Sequence, residues 1–588
     1  MPRRIITALD IEMVAGMGKT QFLVEESDVV TDIAREKADQ LNIEIKKAGP
    51  EKEALRDSIS EKHRSHLQDN KGEDSPHVKT DKSPDDLEKF KTELSQIKQD
   101  LQTLKSGSGE SSLAEVVQRR TTTWRSPEAE TQESGPVDLT IKNGNLVIPR
   151  LGIMQGDLEI YGSKIKAVTA SGKARGDNII DAAGLYVLPG IVDPHIHLGL
   201  FGELGDEIAR ESASALVGGV TTVGCFLNTD RSYFDYFPQF VELVEKNSYI
   251  DIYPHFVITK PEQVAEIPSY VEELKIKSFK IYMCGIPGII PSMSDNQILD
   301  VFEKVQAYPD VTIAIHAENS HLVERATEKA RNLVEEKNNL QSWEETRPSL
   351  VEEEAVKRAV LLAERYGVSI YLVHLSARES INVVRESRRR APADYSLYAE
   401  TTSPYLTNNS GSPLDARAKM MPPFRSREHT EALWAGLREG QIDTIGTDNV
   451  TITLAEKKIE DGMWGAMPGY PALATHLPSL LHEGVNGDRI DLVRLAEAAS
   501  LRPAEIFGFY PPKGSLLPGS DADLAIVDLN KTVRVDPQKL LSRSDFSLFE
   551  GRKLRGWPVY TVKGGQLIMR EGEISADAKR RGMVIRHR

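Results

Sequence analysis

Residues 186–197 read YVLPGIVDPHIH, an apolar run that closes on Asp193-Pro194-His195-Ile196-His197. Residues two apart in a strand share a face, so His195 and His197 can grip one ion from a strand end. Two histidines packed for structural reasons would give the same pair, so the reading turns on what recurs downstream. VTIAIHAEN carries His316, VSIYLVHLSA carries His374 and GQIDTIGTDN carries Asp448, each at the end of an apolar run. From about residue 191 to about 510, strand-like runs alternate with helical stretches, the pattern of a parallel α/β structure. Polar residues ending buried strands in that pattern predict the carboxyl-end mouth of a (β/α)₈ TIM-like barrel. Nitrogen and carboxylate donors suit zinc, and also manganese, iron, cobalt or nickel.

On either side the pattern changes. VDLTIKNGNLVI, GDLEIYGSKIKAVTA and NIIDAAGLYVLPG are short strands split by Gly-rich turns, and GSDADLAIVDLN and GWPVYTVKGGQLIMREGEI repeat the style after the barrel. Residues 137–190 and 511–575 are therefore expected to pack together as one small β-sandwich domain around a barrel of residues 191–510.

The first 136 residues form an extension. Residues 1–47 read as a small α/β segment: QFLVEE as a strand, then TDIAREKADQLNIEI as a helix capped by Thr31 and running into a second strand. Residues 48–82 are charged and poor in aromatics, the composition of a disordered linker. Over 83–105, Ser83-Pro84-Asp85-Asp86 starts a helix, and Leu87, Phe90, Leu94, Ile97, Leu101 and Leu104 fall at heptad spacing. That seam either lies on the chain's own catalytic domain or self-associates. Residues 106–136 read as a second flexible linker. Gly16-Met17-Gly18-Lys19-Thr20 resembles the end of a phosphate-binding loop, but Met13 stands where the first glycine belongs and no apolar strand precedes it, so nucleotide binding is not expected.

Composition narrows the class. The net charge of −15 argues against a nucleic-acid partner and against docking on anionic membranes. No apolar run approaches the ~20 residues that span a bilayer, and the basic N-terminus lacks the apolar segment and cleavage site of a secretory signal. Two cysteines, Cys225 and Cys284, exclude a disulfide framework and fit a reducing cytoplasm.

The block from about 137 to 575 resembles the cyclic amidohydrolases: hydantoinase, dihydropyrimidinase, allantoinase and dihydroorotase. LPGIVDPHIHL, SFKIYMCG, IAIHAENS, IYLVHLSA, MPPFRSREHTEALWAGLREGQIDTIGTDN and RPAEIFGFYPPKGSLLPGSDADLAIVD occur in the family's order. The resemblance implies two divalent metal ions, zinc by preference. His195, His197 and Asp448 would hold one with Lys280, and His316 and His374 the other. Lys280 matches the lysine that family members carry as an N-carboxylated bridge between both ions. A hydroxide made available near neutral pH would attack the amide carbonyl, with Asp448 as general base and then general acid. The family also implies a homotetramer and a small cyclic amide as substrate; the tethered N-terminal arm of this chain would be free to meet a protein partner.

At the mouth the match loosens. Gly285 stands where hydantoinases usually carry a tyrosine five positions beyond the bridging lysine. Met421 stands where a Ser or Asn usually meets the substrate amide, and Asn449 where a His often follows the catalytic Asp. Tyr282 shares the strand face of Lys280 but matches a family Phe. Leu198-Gly199 replace the arginine that follows HxH in dihydroorotases. His316-Ala317-Glu318-Asn319 leans toward dihydropyrimidinase. Asn319, Met421 and Tyr282 are the expected substrate contacts, in a pocket less polar than usual. The alternatives are an allantoinase- or dihydroorotase-like hydrolase, or a non-catalytic dihydropyrimidinase-like scaffold of the kind that has lost metal ligands, whereas this chain keeps all six matching positions.

Overall fold

The computed structural model describes residues 137–587 apart from 173, 175, 177, 334–338 and 391–394, and before them only 5–6, 21–24, 29–30, 35, 38 and 43–47. The expected linkers 48–82 and 106–136, the heptad helix 83–105, Thr31 and the glycines of the discounted loop lie outside the described residues. The chain divides into two compact units, Met1–Lys91 and Thr92–Arg588.

In the first unit, β1 (Ile5–Ile6) pairs with β3 (Val29–Val30) and β2 (Gln21–Val24) with β4 (Glu44–Lys47), both in parallel. Arg35 and Ala38 between them are helical. The pairing of β1 and β3 has no counterpart in the sequence reading, because two-residue strands carry no measurable period.

In the second unit, the segments flanking the barrel meet in one nine-stranded mixed sheet. It joins β5 (Leu139–Ile148), β6 (Gly152–Tyr161), β7 (Lys164–Thr169), β8 (Ile179–Asp181) and β9 (Tyr186–Pro189) to β19 (Leu524–Arg534), β20 (Lys553–Lys563), β21 (Gln566–Arg570) and β22 (Glu573–Ile574). The seam is antiparallel, from Leu524 opposite Pro189 to Val527 opposite Tyr186. A core of its own, including Ile141, Leu146, Leu158, Ile180, Leu524, Ile526 and Val562, draws on both segments.

The barrel strands run in parallel: β10 (Ile191–His197), β11 (Val220–Leu227), β12 (Asp251–Val257), β13 (Ser278–Tyr282), β14 (Thr312–His316), β15 (Ser369–Leu372) and β16 (Leu397–Thr402). The eighth position is split. β17 (Thr444–Gly446) pairs with β16, and β18 (Asn449–Val450) pairs back onto β10 at Ile196 and His197. The break falls at Thr447-Asp448, where Asp448 takes a left-handed backbone (φ 54°). Closure thus places Asp448 beside the two histidines of the first strand.

Strands β11 to β14 are buried along their whole length, which is why they read as continuous apolar runs. Helices cover them outside. The helix Asp295–Val305 shows why: Ser294 accepts from the Gln297 N–H while Gln297 accepts from the Ser294 N–H, and Ile298, Val301, Phe302 and Val305 form the buried stripe.

Candidate metal centre and its mouth

All six expected metal ligands come together at the carboxyl ends of the barrel strands. His195 and His197 point Nε2 at Asp448 Oδ1, at 3.1 and 3.2 Å, and the three ligand atoms lie within 4.8 Å of one another. His316 Nδ1 faces His374 Nε2 at 3.0 Å. The groups adjoin, since the His195 and His374 rings are 5.4 Å apart between centroids. His374 (φ 41°), like Asp448, sits in left-handed backbone, a conformation costly for a residue with a Cβ and common where side chains are aimed at function.

Lys280 lies in the middle of β13, two residues before its carboxyl end, fully buried, and its Nζ has no hydrogen-bond partner among the described residues. It rests 4.6 Å from the centroid of the Phe226 ring and 4.9 Å from that of Tyr282. Those two rings reach the two groups in turn, Phe226 lying 4.5 Å from the His195 ring and Tyr282 5.3 Å from that of His316 between centroids. Burial pushes the Lys280 amine down to about 7, against the pull of Asp448 and Glu400. An unpartnered buried ammonium costs several kcal/mol, and a neutral amine is the form that takes up CO₂. The donor set therefore fits divalent metal: an orphaned amine between two imidazole groups, and an imidazole pair whose facing nitrogens need a cation or a proton between them.

Two carboxylates orient the histidines. Glu400, on β16, accepts from His195 Nδ1 (2.7 Å), the His374 backbone N–H (2.9 Å) and the Tyr371 hydroxyl (2.7 Å). Glu318 takes His316 Nε2 at 2.9 Å and is held by Arg347. A proton on the nitrogen facing each carboxylate leaves His195 Nε2 and His316 Nδ1 with lone pairs for an ion. Burial alone would lower the His195 imidazole, but Glu400 and Asp448 on either side hold it up at about 9, so that Nε2 carries a proton which a cation at that place would displace. Burial would likewise raise Asp448, yet His195 and His197 keep its carboxyl well below the usual range. Asp193 anchors the closure: it accepts the backbone N–H of His195 (3.1 Å) and of Thr447 (3.0 Å), and the Thr447 hydroxyl (2.6 Å). Gly446 is required beside it, because a Cβ there would sit 2.9 Å from that of His195 and 3.2 Å from the Glu400 carboxyl carbon.

Sequence reasoning missed Glu400, Glu318 as an orienting group, and Arg347. Glu400 carried the same signal as His316, a polar residue closing an apolar run. Arg347 lies between two helices, Leu340–Glu345 and Ser349–Tyr366, with no pattern around it.

Above the donors is a pocket with about 510 Å³ of empty space, its open side included, lined by the donors' tips and by apolar side chains. Leu200 and Phe201 come from the loop after β10; Ile286, Ile289 and Ile290 from the loop after β13; Met420, Met421, Val450 and Pro468 complete the wall. Glu207 holds the first loop by accepting from Gly199 N (2.6 Å) and Gly202 N (2.7 Å). Lys457, fully buried, gathers the backbone carbonyls of Lys419 (3.2 Å), Met467 (2.9 Å) and Gly469, which fixes Met420, Met421 and Pro468. Of the three expected substrate contacts, Tyr282 and Met421 line this pocket and Asn319 does not. The Asn319 Oδ1 caps Leu322 N at the start of the helix Ser320–Leu333, and its Nδ2 donates to Glu354 (2.6 Å).

Four imidazoles, a carboxylate and an orphaned lysine thus meet at the mouth of a parallel barrel, a donor set suited to divalent metal. The chain belongs to the amidohydrolase family, which matches residues 186–568, and within it to the hydantoinase-type cyclic amidohydrolases. An L-hydantoinase of Paenarthrobacter aurescens is 30% identical over 450 residues, 74% of this chain and 95% of that protein. A dihydroorotase of Geobacillus sp. (strain WCH70) is 32% identical over 438 residues, 73% of this chain and 97% of that one. The solved L-hydantoinase (dihydropyrimidinase) from Arthrobacter aurescens superposes with a TM-score of 0.71 at 28% identity, covering 77% of this chain and 100% of that structure.

Proposed function

We propose that the protein hydrolyses an uncharged cyclic amide (a hydantoin, dihydropyrimidine, imide or related ureide) to the ring-opened acid. One observation carries the choice of substrate: the described residues lining the pocket include no lysine or arginine. A ring bearing a carboxylate would lose its water there and find no cation beyond the centre itself, a cost of a few kcal/mol, or at least about 100-fold in kcat/KM.

His195, His197, Asp448 and Lys280 would hold one cation, and His316, His374 and Lys280 the other, with Lys280 carboxylated and zinc the best match to the donors. Such ions supply Lewis acidity and ready deprotonation of water. The chain does the rest. Glu400 and Glu318 fix the ring orientations of His195 and His316. Asp448, ionised and aimed at the centre, accepts the proton of the attacking water and returns it to the leaving ring nitrogen. The apolar wall excludes bulk water from the reacting amide.

The test is ring opening by metal-replete protein, followed on hydantoin, dihydrouracil, succinimide, allantoin and dihydroorotate. At least one neutral ring is expected to react, with dihydroorotate about 100-fold slower or worse. Comparable kcat/KM on dihydroorotate would transfer the assignment to the dihydroorotase reading.

The N-terminal arm belongs to assembly in this proposal, within a homotetramer in a reducing cytoplasm. No helix among the described residues is long and apolar enough to cross a membrane. All six donors and both flanking β segments lie after residue 136. Deleting residues 1–130 is therefore expected to leave kcat and KM within about twofold while changing oligomer size or co-purifying proteins, since a short coil gains strength only from high local concentration. A large fall in turnover at unchanged size would show that the arm instead covers the pocket.

A further inference from the structure

Arg347 lies behind the pocket wall. Its Nη2 donates to the thioether sulfur of Met421 at 3.1 Å, and Met421 lines the pocket. A guanidinium therefore stands one side chain away from the space above the donors. Arg347 is buried, with Nη1 given to Glu318 and its guanidinium carbon 6.0 Å from the centroid of the Trp343 ring. Lys419 lies against the same ring, its Nζ 4.3 Å from the centroid and donating to Trp464 O (3.0 Å). Of these two cations, only Arg347 has a carboxylate partner among the described residues.

The backbone on both sides is held. Trp343 Nε1 donates to Met420 O (2.8 Å), and Arg425 Nη1 donates to Arg347 O (2.8 Å). What covers the Nη2 edge of Arg347 toward the pocket is thus the Met421 side chain. Arg347 has a structural reason to be so close: it holds Glu318, and Glu318 holds the His316 ring. One edge of its fork serves that task. The other is spent on a thioether, which is a weak acceptor.

A carboxylate is a far stronger partner for a guanidinium than a sulfur is. The Nη2 edge is therefore an anion site that lacks only access. We infer that Met421 makes this chain select uncharged rings by covering an anion site on Arg347, a role that rests on the cyclic-amide reading above.

Met421→Ala ends the side chain at Cβ and leaves Nη2 facing the vacated space. Two acids, dihydroorotate and hydantoin-5-acetate, are each compared with their own primary amide, which has the same shape without the charge. Wild type is expected to open each acid about 100-fold more slowly than its amide. In Met421→Ala the acid-to-amide ratio of kcat/KM is expected to rise at least about tenfold for one acid or both, through KM. Met421→Leu, which refills the space with an apolar group of similar volume, is expected to keep the wild-type ratio within about threefold. An Ala variant that gains on acid and amide alike has gained only room; that result, an unchanged ratio for both acids, or an equal rise in Met421→Leu overturns the inference. If Met421→Ala does not fold, Met421→Ser is read in the same way, since it too ends short of the Sδ position. If wild type opens no ring amide, the functional proposal falls. Calorimetric titration of the metal-loaded proteins with the same acids and amides then gives the ratio as Kd, and the presence or absence of the same rise still decides the role of Met421.

Discussion

Lys280→Ala is expected to lower bound divalent metal from about two ions per chain to one or none and to cut turnover by about 10³-fold or more, since the centre supplies both nucleophile and charge stabilisation. The argument begins with the cost of the wild-type side chain. Lys280 Nζ is fully buried, rests on two aromatic faces and has no hydrogen-bond partner among the described residues. A lysine is kept in such a place at the expense of folding stability, so its removal should not harm the metal-free protein except through the space it leaves. Lys280→Met fills that space, and its metal-free melting temperature is expected to equal or exceed that of wild type. Metal should then separate the two proteins. A ligand that binds only the folded state stabilises it by about 2.7 kcal/mol at a concentration of 100 Kd. Wild type is expected to gain melting temperature when loaded, and Lys280→Met to gain little. Metal analysis after metal-replete expression, with melting curves of loaded and stripped protein, checks this. A variant that retains two ions and turnover within tenfold removes Lys280 from the centre; wild type without metal under the same conditions removes the hydrolase reading itself.

The six donors of that centre were legible in different ways. His195 and His197 announce themselves by spacing, because a strand puts alternate residues on one face. His316, His374 and Asp448 do so by ending apolar runs. Lys280 does neither, and only the resemblance of SFKIYMCG to its family singled it out. Glu400 ends its run like the histidines but was overlooked, since a carboxylate that orients a ligand leaves no mark of its own. Asn319 was misplaced for a local reason: it follows a strand that ends in the site, yet asparagine is a strong helix cap, and here the helix Ser320–Leu333 claims it. The wall of the pocket was least legible. Leu200, Ile289, Met421 and Pro468 come from four separate loops, held by Glu207, Gly285 and Lys457 through backbone contacts that no sequence period encodes.

Asp448→Asn is expected to lower kcat by about 10³-fold, within the 10²–10⁴ range of general acid–base catalysis, while the fold and part of the metal are kept. The substitution is suited to the place. Asp448 lies in left-handed backbone (φ 54°) at the break in the closing strand, and asparagine enters that region as readily as aspartate, so β17 and β18 should keep their pairings. The amide is nearly isosteric, and its oxygen can still turn toward His195 and His197, 3.1 and 3.2 Å from the carboxylate oxygen it replaces. What disappears is the charge and the capacity to carry a proton. A carboxylate whose pKa is held well below the usual range by His195 and His197 is ionised throughout the working range, and in the proposed mechanism it is the group that takes the proton of the attacking water. Asparagine cannot accept one, and the leaving ring nitrogen then departs without protonation. Loss of metal alone would lower turnover in proportion to occupancy; loss of the proton carrier lowers kcat in molecules that remain fully loaded. Turnover is therefore to be normalised to measured metal per chain and followed against pH for both proteins. If Asp448→Asn, fully loaded, opens any ring amide at a rate near that of wild type, Asp448 only binds metal, and the proton reaches the leaving nitrogen by another route.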